Sequence, residues 1–143
     1  MKISAKAEYA CVAMLELAAN YKEPQPVRVK AIAEAHGIPQ RFLVQILLQL
    51  KSAGLVVSLR GALGGYQLSR SPETISLADV LNAMDREPAV RPSLFPLRAS
   101  PAVEALHGVW KEIQAAQRRL LAEHSLAELV RRSQQSNALS YQI

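Results

Sequence analysis

Residues 30–53, KAIAEAHGIPQRFLVQILLQLKSA, decide the fold of this 143-residue chain. The first part predicts a short helix from Lys30 to His36, which Gly37 ends and which Ile38-Pro39 follows as a turn. A second helix, from about Gln40 to Ala53, is predicted because its apolar residues recur at the three-and-four spacing of one helix face. The expected inward positions are Ile32, Ala33 and, as a weaker candidate, Ala35 in the first helix, and Phe42, Leu43, Ile46, Leu47 and Leu50 in the second.

A β-hairpin is predicted directly after these two helices. Gly54 supplies the left-handed stop of the second helix, and the β-favouring stretch LVVSLR follows at 55–60. The glycine-rich segment 61–65 reverses the chain into a return strand at 66–69, and residues 27–29 are expected to add a very short strand. Two helices joined by a glycine-containing turn and followed by a hairpin are the order of a winged helix-turn-helix.

A first helix is predicted upstream of this unit. Ser4 can cap it, and it runs to about Asn20. Its apolar residues cover more than one stripe, so we expect burial on most sides. In so short a chain, that burial indicates a partner subunit.

The C-terminal half is predicted to be helical after a loop. Ser76 can cap a helix over 77–85, and the prolines of 86–100 make that segment a loop. Pro101 opens a long helix that ends at about Ala122 and carries an apolar face. The later expectations are a shorter helix over 126–132 and a frayed polar tail over 134–143.

The positive charge of the chain is concentrated around the two central helices and the hairpin. The whole chain has a formal net charge of +5. Between Pro24 and Pro72, six basic residues stand against one acid, Glu34, so this stretch carries a charge equal to the whole surplus; the six are Arg28, Lys30, Arg41, Lys51, Arg60 and Arg70. Such a field suits a polyanion, although a solvated basic face is the plainer alternative on charge alone.

The geometry of the two helices favours DNA over that plainer alternative. The second helix of such a unit enters the major groove with its N-terminal residues nearest the bases, and here those residues are Gln40, Arg41, Val44 and Gln45. The inward positions of this helix leave positions 41, 44, 45 and 48 pointing outward. Glutamine can bind adenine and arginine can bind guanine in bidentate fashion. Val44 and Leu48 can contact a thymine methyl, or can form the shoulder of the core.

The hairpin tip is the second candidate contact with DNA. Arg60 precedes the glycine-rich turn, which lets the backbone approach a groove closely, and an arginine there can enter the minor groove. A phosphate-binding nucleotide loop is rejected, because a strand rather than a helix follows the glycines and the required lysine is missing. Arg28, Lys30 and Lys51 are further candidate DNA contacts.

Other classes of protein are not indicated. No apolar run approaches the length of a membrane span, and the N-terminal sequence lacks a secretory cleavage pattern, so we expect a cytoplasmic protein. The single cysteine, Cys11, excludes an intrachain disulfide framework, and packing is its expected role. No serine, histidine and acid set and no carboxylate pair suggests an enzyme.

Three segments resemble the Rrf2 family of winged helix-turn-helix transcription regulators, which includes IscR-, NsrR- and CymR-like members. They are MKISAKAEYA at 1–10; AIAE at 31–34 with GIP at 37–39 and FLVQIL at 42–47; and LKSAGLVVSLRG at 50–61 with GGYQLSR at 64–70. The resemblance covers about residues 1–133. Its most specific part is the wing pattern formed by Ser58, Arg60, Gly61, Gly64, Gly65 and Tyr66.

The resemblance implies roles for particular residues. Gln45 matches a glutamine that family members use at bases, and Arg60 matches the wing arginine. Val44 stands where IscR-like members have a glutamate that changes specificity, so a different target is implied. Family members are dimeric, with a long C-terminal helix that crosses to the partner, and the implied interface residues here are Val103, Leu106, Val109, Trp110, Ile113 and Leu120.

The resemblance also identifies a departure in the sensor. Cluster-binding members have three cysteines between the fourth helix and the dimer helix, whereas residues 86–105 contain none here. Glu8 and His107 fall where relatives supply a carboxylate and a histidine ligand, and they are weak metal candidates. Iron–sulfur clusters favour thiolate ligands, so we expect no cluster and no other cofactor.

The sequence therefore predicts a mainly α protein: a winged helix-turn-helix with a two-stranded wing and a long dimerisation helix. The expected division is a DNA-binding domain over 1–85, a linker loop over 86–100, dimerisation helices over 101–133 and the tail. The expected function is a homodimeric transcription regulator, a repressor, that binds a dyad-symmetric operator in double-stranded DNA. The alternative is a winged-helix module for protein interaction or small-ligand sensing, with its DNA binding controlled by an effector protein.

Overall fold

The computed structural model describes residues 2–62, 64–85 and 97–141. The elements in chain order are α1 (Ala5–Ala19), α2 (Val29–His36), α3 (Gln40–Ser52), β1 (Val56–Leu59), β2 (Gly65–Leu68), a short 3-10 turn (Pro72–Thr74), α4 (Leu77–Met84), α5 (Pro101–Glu123) and α6 (Leu126–Tyr141). This order confirms the mainly α winged helix-turn-helix fold. The predicted loop at 86–100 falls within the described residues only at 97–100, which are neither helix nor strand.

Serine side chains cap α1 and α4, as the sequence predicts, and a serine also caps α5. The N–H of Ala7 donates to Ser4 Oγ at 3.1 Å, and the N–H of Val103 donates to Ser100 Oγ at 3.2 Å. At α4 the pair is reciprocal: the N–H of Asp79 donates to Ser76 Oγ, and the N–H of Ser76 donates to Asp79 Oδ2 at 2.9 Å. Each such cap contributes about 1 kcal/mol by satisfying N–H groups that the helix leaves unpaired.

The core forms around α1. This helix packs against α3, α4, α6 and β2 of its own chain, which together bury Ala7, Ala10, Ala13, Met14 and Leu17. The expectation that a partner subunit covers α1 is therefore not needed to explain its wide apolar surface. The chain itself supplies the cover, because α6 returns to pack beside α1.

Helix α6 belongs to this core and extends further than predicted. Leu126 is fully buried, its N–H donates to Ile75 O at 2.9 Å, and Val130 packs against the core. The assignment of 101–133 to dimerisation stays a prediction. Residues 134–141, which the sequence predicted to be a frayed tail, continue α6, and the anchored first turn already carries the nucleation cost of the helix.

Two predicted core positions are wrong. Phe42 is 47 % exposed and Ala35 is exposed. The core face of α3 is narrower than its apolar residues imply, since Leu43, Ile46, Leu47 and Leu50 fill it completely. Phe42 lies beside that face and lines a groove between α1 and α3.

The hairpin is antiparallel and is attached to the segment before α2. Val56 pairs with Leu68 and Leu59 pairs with Gly65, so β1 and β2 run together over four residues each. Of the very short strand predicted over 27–29, only Val27 pairs, in a single bridge with Tyr66, because α2 already begins at Val29. Within the described residues, no helix has both the length and the apolar character to cross a membrane.

Candidate nucleic-acid interface

The outer face of α3 carries the residues that the sequence predicted to meet DNA bases. Gln40, Arg41, Val44 and Gln45 are all exposed; Gln40 begins the helix, and the other three point away from the buried Leu43 and Leu47. Val44 is 39 % and Leu48 51 % exposed. Both side chains are thus open to solvent, and contact with a thymine methyl group stays a prediction for them.

Arg41 lies at the start of α3 with its guanidinium 4.9 Å from the centre of the Phe42 ring. An arginine over an aromatic face is attracted by the ring, and both side chains remain open to solvent. The unexpected exposure of Phe42 thus has a local consequence, because it provides a surface on which Arg41 rests. The guanidinium keeps its hydrogen-bond donors available at the N-terminal end of α3.

The hairpin presents Arg60 at the end of β1, fully outside the core. The chain then turns with the N–H of Gly64 donating to Gly61 O at 2.9 Å. A side chain at Gly65 would place Cβ 2.3 Å from Val27 O, and one at Gly64 would place Cβ 2.5 Å from Leu59 O. Glycine is therefore required at both positions by close backbone approach.

Four of the six cations in the basic stretch have contacts within the protein. Lys51 Nζ donates to Ser58 Oγ at 2.8 Å, which links the end of α3 to β1, and the Arg28 guanidinium donates to Ala62 O at the wing tip. The two ion pairs are Lys30–Glu34 at 3.9 Å and Arg70–Asp79 at 3.6 Å.

The remaining two cations are the ones predicted at the two DNA-facing positions. Within the described parts of the chain, neither Arg41 nor Arg60 forms an ion pair with an acidic side chain. Their charges are consequently available to phosphates or base edges. Arg28, Lys30 and Lys51 stay predicted DNA contacts, although each also has a partner in the protein.

Helix α5 carries an apolar stripe that stays largely exposed within the described part of the chain. The stripe consists of Val103, Leu106, Val109, Trp110, Ile113 and Leu120, and no α5 residue is buried. Five of these side chains are between 44 % and 54 % exposed, Val103 being the partly covered one. Helix α5 contacts chiefly α4, and an exposed apolar stripe of this kind is typical of a protein–protein interface.

The candidate sensor residues do not form a cluster. Glu8 and His107 are both exposed, and the described residues contain no group of three or more histidine, cysteine or acidic side chains that could hold a metal. Burial raises the pKa of the Cys11 thiol to about 11, and the nearby charges of Glu8 and Asp85 act in the same direction. Such a thiol is protonated at neutral pH and poorly nucleophilic, in line with the packing role expected for it.

Two surface grooves escaped the sequence interpretation. The groove between α1 and α3 has a volume of about 380 Å³ and is lined by Lys6, Tyr9, Phe42 and the base-reading candidate Gln45. A second groove, of about 420 Å³, lies between α1 and α6 and contains an ion pair of His36 Nε2 with Glu16 at 3.3 Å. Periodicity could not reveal either one, because each depends on how distant helices pack.

Comparisons with known proteins agree with this geometry. The sequence model of the Rrf2 family, described as an iron-dependent transcriptional regulator, matches residues 3–132. A candidate HTH-type transcriptional regulator of Mycobacterium tuberculosis is 44 % identical over 131 residues, covering 90 % of this chain and 81 % of the relative.

Solved structures are similar along almost the whole chain. The structure of IscR from T. potens matches with a TM-score of 0.78 and 30 % identity, covering 95 % of this chain and 90 % of that one. The structure of CymR, the global cysteine regulator of B. subtilis, matches with a TM-score of 0.78 and 32 % identity, covering 91 % of this chain and 96 % of that one.

Proposed function

Since the chain belongs to the Rrf2 family of DNA-binding transcriptional regulators, and is thus a regulator and not an enzyme, we propose that it acts as a homodimeric repressor. In this proposal two copies bind a dyad-symmetric operator in double-stranded DNA. Each copy places α3 in a major groove and its wing in the flanking minor groove. The protein works in the cytoplasm, where the DNA is.

One observation carries the proposal: among the described residues, Arg41 on α3 and Arg60 on the wing are the two cations of the basic stretch without a hydrogen-bond or ion-pair partner in the protein. An arginine that is already hydrogen-bonded or ion-paired loses that interaction when it binds DNA, whereas Arg41 and Arg60 give up no hydrogen bond or ion pair on binding a phosphate or a guanine. Val44 and Gln45 are exposed on α3 with Arg41, at positions suited to base edges.

The apolar stripe of α5 supports the homodimer. Half-exposed leucine, valine, isoleucine and tryptophan side chains on one helix lose contact with water when a second copy presents the same stripe. A two-fold arrangement of this kind is self-complementary, and it would repeat the DNA-binding surface with the symmetry of a palindromic operator.

Binding-site selection with the purified protein, followed by fluorescence anisotropy, tests the operator and the reading residues. We expect one enriched dyad-symmetric sequence and an affinity that falls steeply with salt. Arg41→Ala and Gln45→Ala should each raise Kd by about 5- to 100-fold, the equivalent of one lost bidentate base contact.

Arg131→Ala is a matched control for these variants, because it removes one positive charge on α6, where Arg131 pairs with Glu73 at 3.0 Å. Its affinity should stay within about twofold of wild type, as expected for a distant surface ion pair. Enrichment of no sequence, or equal losses for the control and the α3 variants, would refute the assignment of the reading face.

We propose that the protein does this without an iron–sulfur cluster, although the family description names iron. The support is chemical: the chain has one cysteine, and its thiol is partly buried on α1, whereas such clusters need several thiolates. The regulatory input would then be an effector protein or a small ligand. An absorption spectrum and iron determination after anaerobic purification test this, and stoichiometric iron with a visible band would contradict it.

A further inference from the structure

Arg28 occupies a helix position to which its chemistry is poorly suited. It is the residue that precedes α2, with φ −77° and ψ 145°, and its side chain makes no capping hydrogen bond to the helix. Serine, threonine, aspartate and asparagine are preferred there because their oxygens accept N–H groups from the first turn. A positive charge at this end also opposes the helix dipole. The residue at this position is therefore not explained by the stability of α2.

The side chain of Arg28 is directed instead to the wing. Its guanidinium donates a hydrogen bond to the carbonyl oxygen of Ala62, 34 residues further along the chain. Ala62 lies in the turn between β1 and β2, two residues after Arg60. The contact thus joins the start of the helix-turn-helix unit to the tip of the hairpin.

The neighbouring residue, Val27, holds the same hairpin through β2. The N–H of Val27 donates to Tyr66 O at 2.9 Å, and the N–H of Tyr66 donates to Val27 O at 2.8 Å. Gly65 permits this approach, since it has no Cβ to meet Val27 O. Residues 27 and 28 consequently hold the wing at two points. Val27 pairs through its backbone with Tyr66 of β2, and the Arg28 side chain binds Ala62 in the turn.

We propose that Arg28 is a positioning residue, which fixes the wing tip so that Arg60 meets the DNA groove in a defined orientation. It acts through Ala62 and the two peptide units that separate Ala62 from Arg60. This inference rests on the proposed DNA-binding function. It also replaces the simpler role predicted from charge, in which Arg28 itself binds a phosphate.

The tether can be tested without DNA by limited trypsin digestion, because the Arg60–Gly61 bond is itself a cleavage site on the wing. We expect Arg28→Ser to accelerate cleavage of that bond by about threefold or more, as local opening of the turn becomes easier. Serine is a good capping residue, so the thermal midpoint of the variant should not fall. This separates release of the wing from loss of the fold.

Lys30→Ala is the matched control, since Lys30 is two residues away, carries the same charge and pairs with Glu34 on α2. Cleavage after Arg60, followed by mass spectrometry, should proceed at the wild-type rate in this control. An Arg28→Ser protein that is cleaved at the wild-type rate would overturn the tether. This arm is informative even if the protein binds no operator, so its failure is distinct from failure of the proposed function.

Operator binding then distinguishes positioning from direct contact. If Arg28 positions the wing, Arg28→Ser should weaken binding several-fold, at about the same salt slope as wild type, and should have little further effect when Arg60 is already alanine. If Arg28 binds a phosphate, the slope of log K against log salt should become shallower by about 0.9. In that case the losses from Arg28→Ser and Arg60→Ala should add, and the positioning role would be wrong.

Discussion

The Ile113→Glu substitution places a carboxylate in the middle of the apolar stripe of α5, where the proposed dimer would bury it. Ile113 is 44 % exposed in the isolated chain, and no residue of α5 is buried, so the change should leave the fold of one protomer intact. The predicted effect is therefore on association alone. Far-ultraviolet circular dichroism at low concentration should be unchanged.

The size of the effect follows from the exposed area that the dimer would remove from water. Full burial of a large apolar side chain contributes about 1.5–3 kcal/mol, so completing the burial of a half-exposed isoleucine supplies about 1 kcal/mol. A buried and unpaired carboxylate adds a cost of several kcal/mol, reduced when it can take up a proton. Because the interface is two-fold, the lost burial of isoleucine and the cost of the buried carboxylate each occur twice. The dimer should therefore lose at least about 4 kcal/mol of association free energy, which corresponds to roughly thousandfold weaker binding between the two copies.

Sedimentation velocity over a wide range of concentration measures this directly. Wild type should sediment as a dimer at micromolar concentration, and Ile113→Glu as a monomer. Ala115→Glu is the matched control, because Ala115 is exposed and lies on the side of α5 away from the stripe, two residues further along the helix. The reasoning fails if Ile113→Glu remains dimeric at wild-type concentrations, or if Ala115→Glu dissociates equally well.

Three further predictions concern the wing, a helix cap and the buried thiol. Arg60→Ala should raise Kd for the selected operator about tenfold and make the salt slope shallower by about 1, as measured by fluorescence anisotropy, whereas a wing that does not touch DNA would leave both unchanged. Ser76→Ala removes the cap of α4 and should lower the free energy of unfolding in urea by about 1 kcal/mol; an unchanged unfolding midpoint would show that the reciprocal bonds with Asp79 contribute nothing. The Cys11 thiol has its pKa raised from 9.0 to about 11, so the stabilisation linked to its neutral form is complete below pH 9 and is lost as pH rises towards 11. Between pH 9 and pH 11 the free energy of unfolding should therefore fall less in Cys11→Ala than in wild type. Parallel curves of stability against pH for the two proteins would contradict this.

Local chemistry in the sequence was sufficient to locate the helices and strands. The caps at Ser4 and Ser76 and the left-handed stop at Gly37 act over three or four neighbouring residues, so their effect can be predicted from the order of the chain. The alternation of apolar residues around the glycines predicted the hairpin for the same reason. The orientation of Arg41 and Gln45 followed from helix periodicity, which is a property of one helix alone.

The long-range contacts could not be obtained in this way. Lys51 and Arg28 were predicted as DNA contacts because they are basic, but their bonds to Ser58 and Ala62 depend on where the wing lies against the helices. Phe42 was predicted to be buried because it is apolar and adjacent to a core face. Whether a neighbouring helix covers such a residue depends on the position of that helix, which is absent from any pattern within α3.

Helices α1 and α5 show the difference between what the sequence and what the tertiary structure determined about this protein. The sequence by itself determined that both are helices with apolar surfaces, that a winged helix-turn-helix lies between them, and that Arg41, Val44 and Gln45 face outward from α3. Only the tertiary structure decided that α6 returns to cover α1, whereas the stripe of α5 stays exposed. The physical reason is that hydrophobic burial is non-directional: a pattern shows that a surface must be covered, but the covering surface is chosen by packing among distant elements.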